Sequence, residues 1–244
     1  MLESNVTEMS QSFESIVETL MLSLKAAQKG ESEQMLQVVE ALRQNFQIML
    51  RLDSDVKNKK SAGLDQEEIS EIADHALTLL DEVAASFAGR GMQDQMMALH
   101  QLSLPVVNWL KLHGGYLKKL DIVVNSIASL ANTLQDTKKL EQLCALINNV
   151  VDVVDQSVRA DLEANNPMRP WRVLNLNWGI VATRTHNTEL MEHVFDQLIA
   201  NIPADAQQFF KEGLQQMDIV NYPEHVRIVM QKYAGGAGGN SVVH

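Results

Sequence analysis

Apolar residues along this chain recur at intervals of three and four, the period of a helix with one buried face. In the first segment they fall at Val6, Met9, Phe13, Ile16, Leu20 and Leu24. Gly30, between Lys29 and Glu31, predicts a stop. The spacing resumes at Met35, Val39, Leu42, Phe46 and Met49. Two such helices joined by a short turn predict an antiparallel hairpin. A polar, basic stretch over 57–63 predicts a loop. Beyond it, Asp65 and Glu68 have the spacing of a capping box, with Asp in place of Ser or Thr. The third helix then buries Ile69, Ile72, Ala76, Leu79, Val83 and Phe87, and Gly89-Arg90-Gly91 ends it.

A fourth helix is expected over about 92–112, bent near Pro105, and His113-Gly114-Gly115 then turns the chain. A fifth covers about 116–134. A sixth, capped by Asp136, runs to about 163. Residues 165–170, Asn-Asn-Pro-Met-Arg-Pro, are the clearest break. Four shorter helices follow, at about 171–186, 188–201, 204–219 and 223–233. Asn187 and Pro203 separate the first three, and Pro223 suits the first turn of the last. No alternating strand pattern stands out. The expectation is an all-α protein of about ten helices in stacked antiparallel hairpins. Residues 1–164 form a long hairpin region or bundle, 165–234 two shorter hairpins, and 235–244 a disordered Gly-rich tail.

The two shorter hairpins carry a repeat signal. Gly179 and Gly213 stand 34 residues apart, and Phe195 and Pro203 follow the first glycine. This resembles the tetratricopeptide repeat, with Leu-Gly in its first helix, Phe in its second and Pro at its end. Trp178 stands where the leucine is usual. Met191 and Ala182 depart from the small-residue and tyrosine positions, and Val229 replaces the second Phe. The resemblance covers about 65 residues. Physically, the glycine admits a close neighbouring helix, the aromatic fills the gap between layers, and the proline ends the unit. The resemblance implies an α-α superhelix whose groove binds a protein or peptide partner.

Composition narrows the class. The chain has 244 residues, enough to bury a core without metal or disulfide. Lys plus Arg number 20 against 31 Asp plus Glu, for a net charge of −11. Nucleic acids and anionic membranes repel such a chain unless it holds a local basic patch. Its one cysteine, Cys144, lies among apolar neighbours and reads as an inert core residue. Residues 1–5 lack a basic start and an apolar run, and no stretch approaches the length of a membrane span, so a cytoplasmic protein is expected. No phosphate-binding glycine loop and no His-Glu-x-x-His pair is present. Glu71–His75 and Glu189–His193 are spaced by four, as surface helix pairs are. No metal, no cofactor and no catalytic set is expected.

One window departs from this acidic background. Between Glu163 and Glu189 there is no acidic residue, while Arg169, Arg172, Arg184 and His186 fall within it beside five asparagines, Trp171 and Trp178. On a helix, Trp171, Leu174, Trp178, Val181 and Thr185 share a packing face. Arg172, Asn175, Gly179, Thr183 and His186 form a second row, and Asn177 and Arg184 a third. In the tetratricopeptide resemblance, Asn177 and Arg184 fall on groove-lining positions and Lys211 on the equivalent position of the next unit. These residues suit an acidic peptide or protein partner: the amide grips a backbone, Arg and Lys grip carboxylates. The reading is therefore a non-catalytic interaction or scaffold protein, with Arg172, Asn175, Asn177, Arg184, His186 and Lys211 as partner-binding residues. The near-heptad stripe of the first hairpin also suits self-association as a homo-oligomer, with burial of that stripe inside the bundle as the simpler account. Two other readings stand beside it. Arg169 and Arg172 instead bridge to acidic residues of neighbouring helices, such as Asp161 or Glu163. Or Arg172, Arg184 and His186 converge on a pocket for a small anionic ligand, in an enzyme or sensor. Three arginines make a poor footprint for nucleic acid.

Overall fold

A computed structural model describes residues 5–24, 29–58, 64–162 and 165–236. Twelve helices follow one another in it. They are α1 (Val6–Leu24), α2 (Lys29–Lys57), α3 (Gln66–Gly89), α4 (Gln93–Gln101), α5 (Ser103–Leu112) and α6 (Asp121–Thr133). Then come α7 (Thr137–Val153), the single turn α8 (Gln156–Arg159), α9 (Pro170–Thr185), α10 (Thr188–Asn201), α11 (Pro203–Ile219) and α12 (Glu224–Ala234). The fold is all-α. The only extended pairing among the described residues is a parallel bridge between Leu117 and Val154. No helix of the described residues is long and apolar enough to cross a membrane.

The chain divides into two compact units, Met1–Ser129 with Asn149–Asp155, and Leu130–Asn148 with Gln156–His244. The division falls within α6 and α7. The stretch 130–148, grouped by the sequence with residues 1–164, belongs to the second unit. Residues 237–244 of the expected tail lie outside the described residues.

In the first unit, α1 packs on α2, α4 and α5, while α3 packs on α2, α4 and α5. The apolar stripe supplies the contacts: Met9, Phe13, Leu42, Phe46 and Met49 are buried, and Phe13 meets Phe46 edge-on at 5.4 Å. The capping box forms as expected. The Glu68 N–H donates to Asp65 Oδ1 at 2.9 Å, and the Asp65 N–H to Glu68 Oε2 at 2.8 Å.

Four boundaries differ from the expectations. Gly30 lies in the first turn of α2, where an early helical glycine costs little, so it does not stop a helix. The helix expected over 92–112 is two, broken at Leu102. The pyrrolidine of Pro105 would strike the carbonyl of Gln101, four residues back, and Gln101 is where α4 ends. The helix expected from 116 starts at Asp121, because Tyr116 and Leu117 are held by hydrogen bonds to other segments. The Tyr116 N–H donates to Ser70 Oγ at 2.9 Å, and Leu117 exchanges bonds with Val153 and Asp155 at 2.7 and 2.9 Å. The same exchange ends α7 at Val153, ten residues short of its expected end.

In the second unit, α9 and α10 form one antiparallel hairpin, α11 and α12 the next, and α10 touches both α11 and α12. Their bounds lie within a residue or so of those the prolines and Asn187 predict. Phe195 of α10 is fully buried and stands 5.0 Å from Phe210, 5.1 Å from Tyr233 and 6.0 Å from Phe209. This aromatic cluster joins the two hairpins.

Candidate functional site

The packing face predicted for α9 is buried: Trp171, Leu174, Trp178, Val181 and Thr185 are enclosed. So is much of the second row. The Asn175 amide donates to the Trp171 carbonyl at 2.8 Å, and its oxygen accepts from Asn201 Nδ2 at 2.8 Å. A Cβ on Gly179 would stand 2.6 Å from Phe209 Cζ and 3.0 Å from Leu198 Cδ1, so α10 and α11 crowd this helix where it is thinnest. Trp178 Nε1 donates to Cys144 Sγ at 3.1 Å on the face toward α7. Burial pushes the Cys144 thiol up to about 12, so it stays protonated and non-nucleophilic at neutral pH. Ile180 is the one residue of α9 between Pro170 and Thr185 with a largely exposed side chain.

The two arginines at the start of the basic window are bound internally. Arg169, with 5% of its side chain exposed, sets Nε and Nη2 on the Asp161 carboxylate at 2.5 and 2.9 Å. Its Nη2 also reaches Asp205 at 2.6 Å, and Arg172 Nε takes the other Asp205 oxygen at 2.6 Å. Arg172 Nη1 donates to the Pro167 carbonyl at 2.9 Å. Burial raises the Asp205 carboxyl, but the hydrogen bonds from Arg172 and Arg169 outweigh it and hold it below the usual aspartate range. The network ties the loop before α9 to the first turn of α11. Bridging to Asp161, one of the sequence's alternatives, is what Arg169 does; Glu163 lies outside the described residues.

Arg184, at the other end of α9, caps a different helix. Its Nη1 donates to the Ala131 carbonyl, and its Nη2 to the Leu134 carbonyl at 2.5 Å and Gln135 Oε1 at 3.4 Å. These groups end α6, where orphan carbonyls favour a cation. His186 closes α9 in the left-handed conformation, φ 58°, with its ring edge-on to Tyr222 at 5.6 Å. Its carbonyl accepts from His225 Nε2 at 3.2 Å. Asn177 is half-buried on α9, and Lys211 is exposed on α11.

Arg184 and His186 therefore come together, whereas Arg172 does not join them. Twelve residues of helix separate Arg172 from Arg184, a rise of about 18 Å. Arg184 and His186 line a cleft of about 270 Å³ with Gln135, Thr137, Asn221 and Tyr222. Among the described residues, no carboxylate lines it. Beside it lies a trough of about 340 Å³ whose walls are Ile180, Phe209, Gly213, Met217, Val220 and Met230, with Glu212 and Gln216 on its rim. Val220 and Tyr222 belong to both.

The trough was not singled out from the sequence, although its signal is present. Phe209, Gly213 and Met217 recur at four along α11, with Val220 three further on just past its end, an apolar row beside the buried Ala206 and Phe210. Among the described residues, no group of three or more His, Cys, Asp or Glu side chains is placed to hold a metal ion. No protein-family model matches this chain, and no match was found among curated proteins or solved structures.

Proposed function

We propose that the chain is a non-catalytic protein-interaction module of the cytoplasm, and that its C-terminal hairpins, a tetratricopeptide-like pair, present the trough on α9, α11 and α12 to a protein partner. The trough carries the reading. An open apolar depression with two methionines on its walls adapts to a partner's side chain. Support for the repeat is the alignment of two successive hairpins at 34 residues, with Gly179 and Gly213 each under a packed neighbour and Pro203 opening the second. An acidic partner segment would meet the cationic end of the surface, at Arg184 and His186, with Lys211 and Asn177 on flanking helix faces. Arg172 and Asn175 support that surface by fixing α9 against α11 and α10.

The test uses the full chain as bait in lysate of its source organism, beside Ile180→Asp in the trough and Ile228→Asp outside it. Both residues are exposed, at 45% and 55%, so the variants keep the core. The expected result is a partner captured by the parent and by Ile228→Asp, and lost by Ile180→Asp at unchanged helicity. A partner retained by all three sinks the trough, and capture of nothing specific sinks the module.

A further inference from the structure

The trough and cleft have a polarity along one axis. Ile180, Thr183 and Arg184 are neighbours on α9 at i, i+3 and i+4, and His186 follows at the helix end. The apolar wall therefore passes into the cationic one within about 9 Å along the helix. The trough's lining carboxylate, Glu212, lies on α11 eight residues before Val220, the residue past the helix end that trough and cleft share. Arg184 gives its hydrogen bonds to carbonyl and amide oxygens and to no carboxylate, so its unit charge is met only by the partial charges at the end of α6. Among the described residues nothing acidic lines the cleft, in a chain of net charge −11. A site with an apolar body and a cation at one end selects a ligand with a hydrocarbon body and an anionic end.

We propose that trough and cleft together bind a small amphipathic monocarboxylate, its hydrocarbon lying against Ile180, Phe209, Met217 and Met230 and its carboxylate meeting Arg184 and His186. The two volumes, about 340 and 270 Å³, suit a medium-length chain, and the methionines let the trough close on a flexible tail. Glu212 on the trough lining disfavours a second carboxylate on the ligand. The inference rests on the trough being a binding surface, as proposed above, and adds a small-molecule occupant to it.

Calorimetric titration of the full chain with sodium decanoate, below its micelle concentration and at low salt, is the test. One saturable site is expected, weakening about fourfold for each methylene removed on passing to octanoate. Decylammonium, with the same tail and opposite head, should bind at least about tenfold more weakly, with only Glu212 to meet its charge. Val220→Asp puts a carboxylate on the wall that trough and cleft share, at a residue 53% exposed, and should cost at least about tenfold without loss of helicity. Ile228→Asp should bind as the parent does. Equal binding of decylammonium, undiminished binding by Val220→Asp, or no saturable site each overturns the proposal. Trough-dependent capture of a protein partner without decanoate binding would leave the interaction reading standing and this one fallen. Decanoate binding without a partner would do the reverse.

Discussion

Gly179 and Gly213 occupy matching places 34 residues apart, yet a methyl group at each meets different neighbours. At Gly179 the contact is the Phe209 ring, itself locked against Phe195 and Phe210 at 6.0 and 5.4 Å. At Gly213 it is the Met230 Cε, the free end of an unbranched side chain, at 2.8 Å. Gly179→Ala should therefore destabilise the chain by about 1–3 kcal/mol through overpacking. In Gly213→Ala, a helix-propensity gain of about 1 kcal/mol offsets the displacement of Met230. Urea denaturation of the pair checks this, and equal losses would refute the account. At Cys144, burial and the Trp178 contact leave a protonated thiol behind packed helices. A colourimetric disulfide reagent at pH 8 should leave it unmodified in the native chain and react fully after denaturation. Rapid native modification would show that the sulfur is accessible. Its inert character was legible in the sequence from the flanking Leu143, Ala145 and Leu146. Its indole partner was not, since residues 144 and 178 are joined only by folding.

Helices were legible where a local chemical signal ends them. The Asp65–Glu68 box, Gly89-Arg90-Gly91, Asn187 and Pro203 all act within a few residues of themselves, and those boundaries match. The ends expected at 116 and about 163 stand at 121 and 153, set by hydrogen bonds between segments far apart in sequence, which no local pattern encodes. The basic window had the same limit. Its composition showed an excess of cations, but not that Asp205, on the next hairpin but one helix, would claim Arg169 and Arg172. That claim has a stability consequence. Asp205→Ala strands a guanidinium only 5% exposed beside one remaining carboxylate, and should cost about 2–4 kcal/mol in urea denaturation. A loss under about 0.5 kcal/mol would show the pairs to be surface-like. The sign with pH follows from the folded carboxyl lying below the usual aspartate range. Its contribution is complete above the unfolded value near 4 and is lost as pH falls through the folded value. The gap between parent and Asp205→Ala should hold from pH 7 to 5 and narrow below about 4. A gap independent of pH down to 3 would remove the ion pair as its cause.

At the scale of the chain, the all-α class was legible because period, sparse prolines and absent alternation agree over the whole length. The grouping of helices was less so. The break at 165–170 is strong in sequence, but the second unit reaches across it to take in 130–148. Three contacts show why. Trp178 donates to Cys144, Arg184 caps the carbonyls at 131 and 134, and Asn187 Nδ2 reaches Glu141 Oε1 at 3.3 Å. Through these, α9 is enclosed on a side that the later hairpins alone leave bare. A fragment of residues 156–236 keeps both hairpins and the Arg169–Asp161 pair and loses all three contacts, exposing Trp178 and stranding Arg184. A fragment of residues 130–236 keeps them. The shorter one should melt at least about 10 °C lower, or without a cooperative transition, in circular dichroism at 222 nm. It should also show a red-shifted tryptophan emission that the longer one lacks. Equal melting of the two would mean that the hairpins form a self-sufficient repeat and that α7 only leans on them. A difference of the expected size would make α7 the face against which α9 folds, with the trough on α9, α11 and α12 dependent on a helix that contributes only Thr137 and Leu140 to the adjoining cleft.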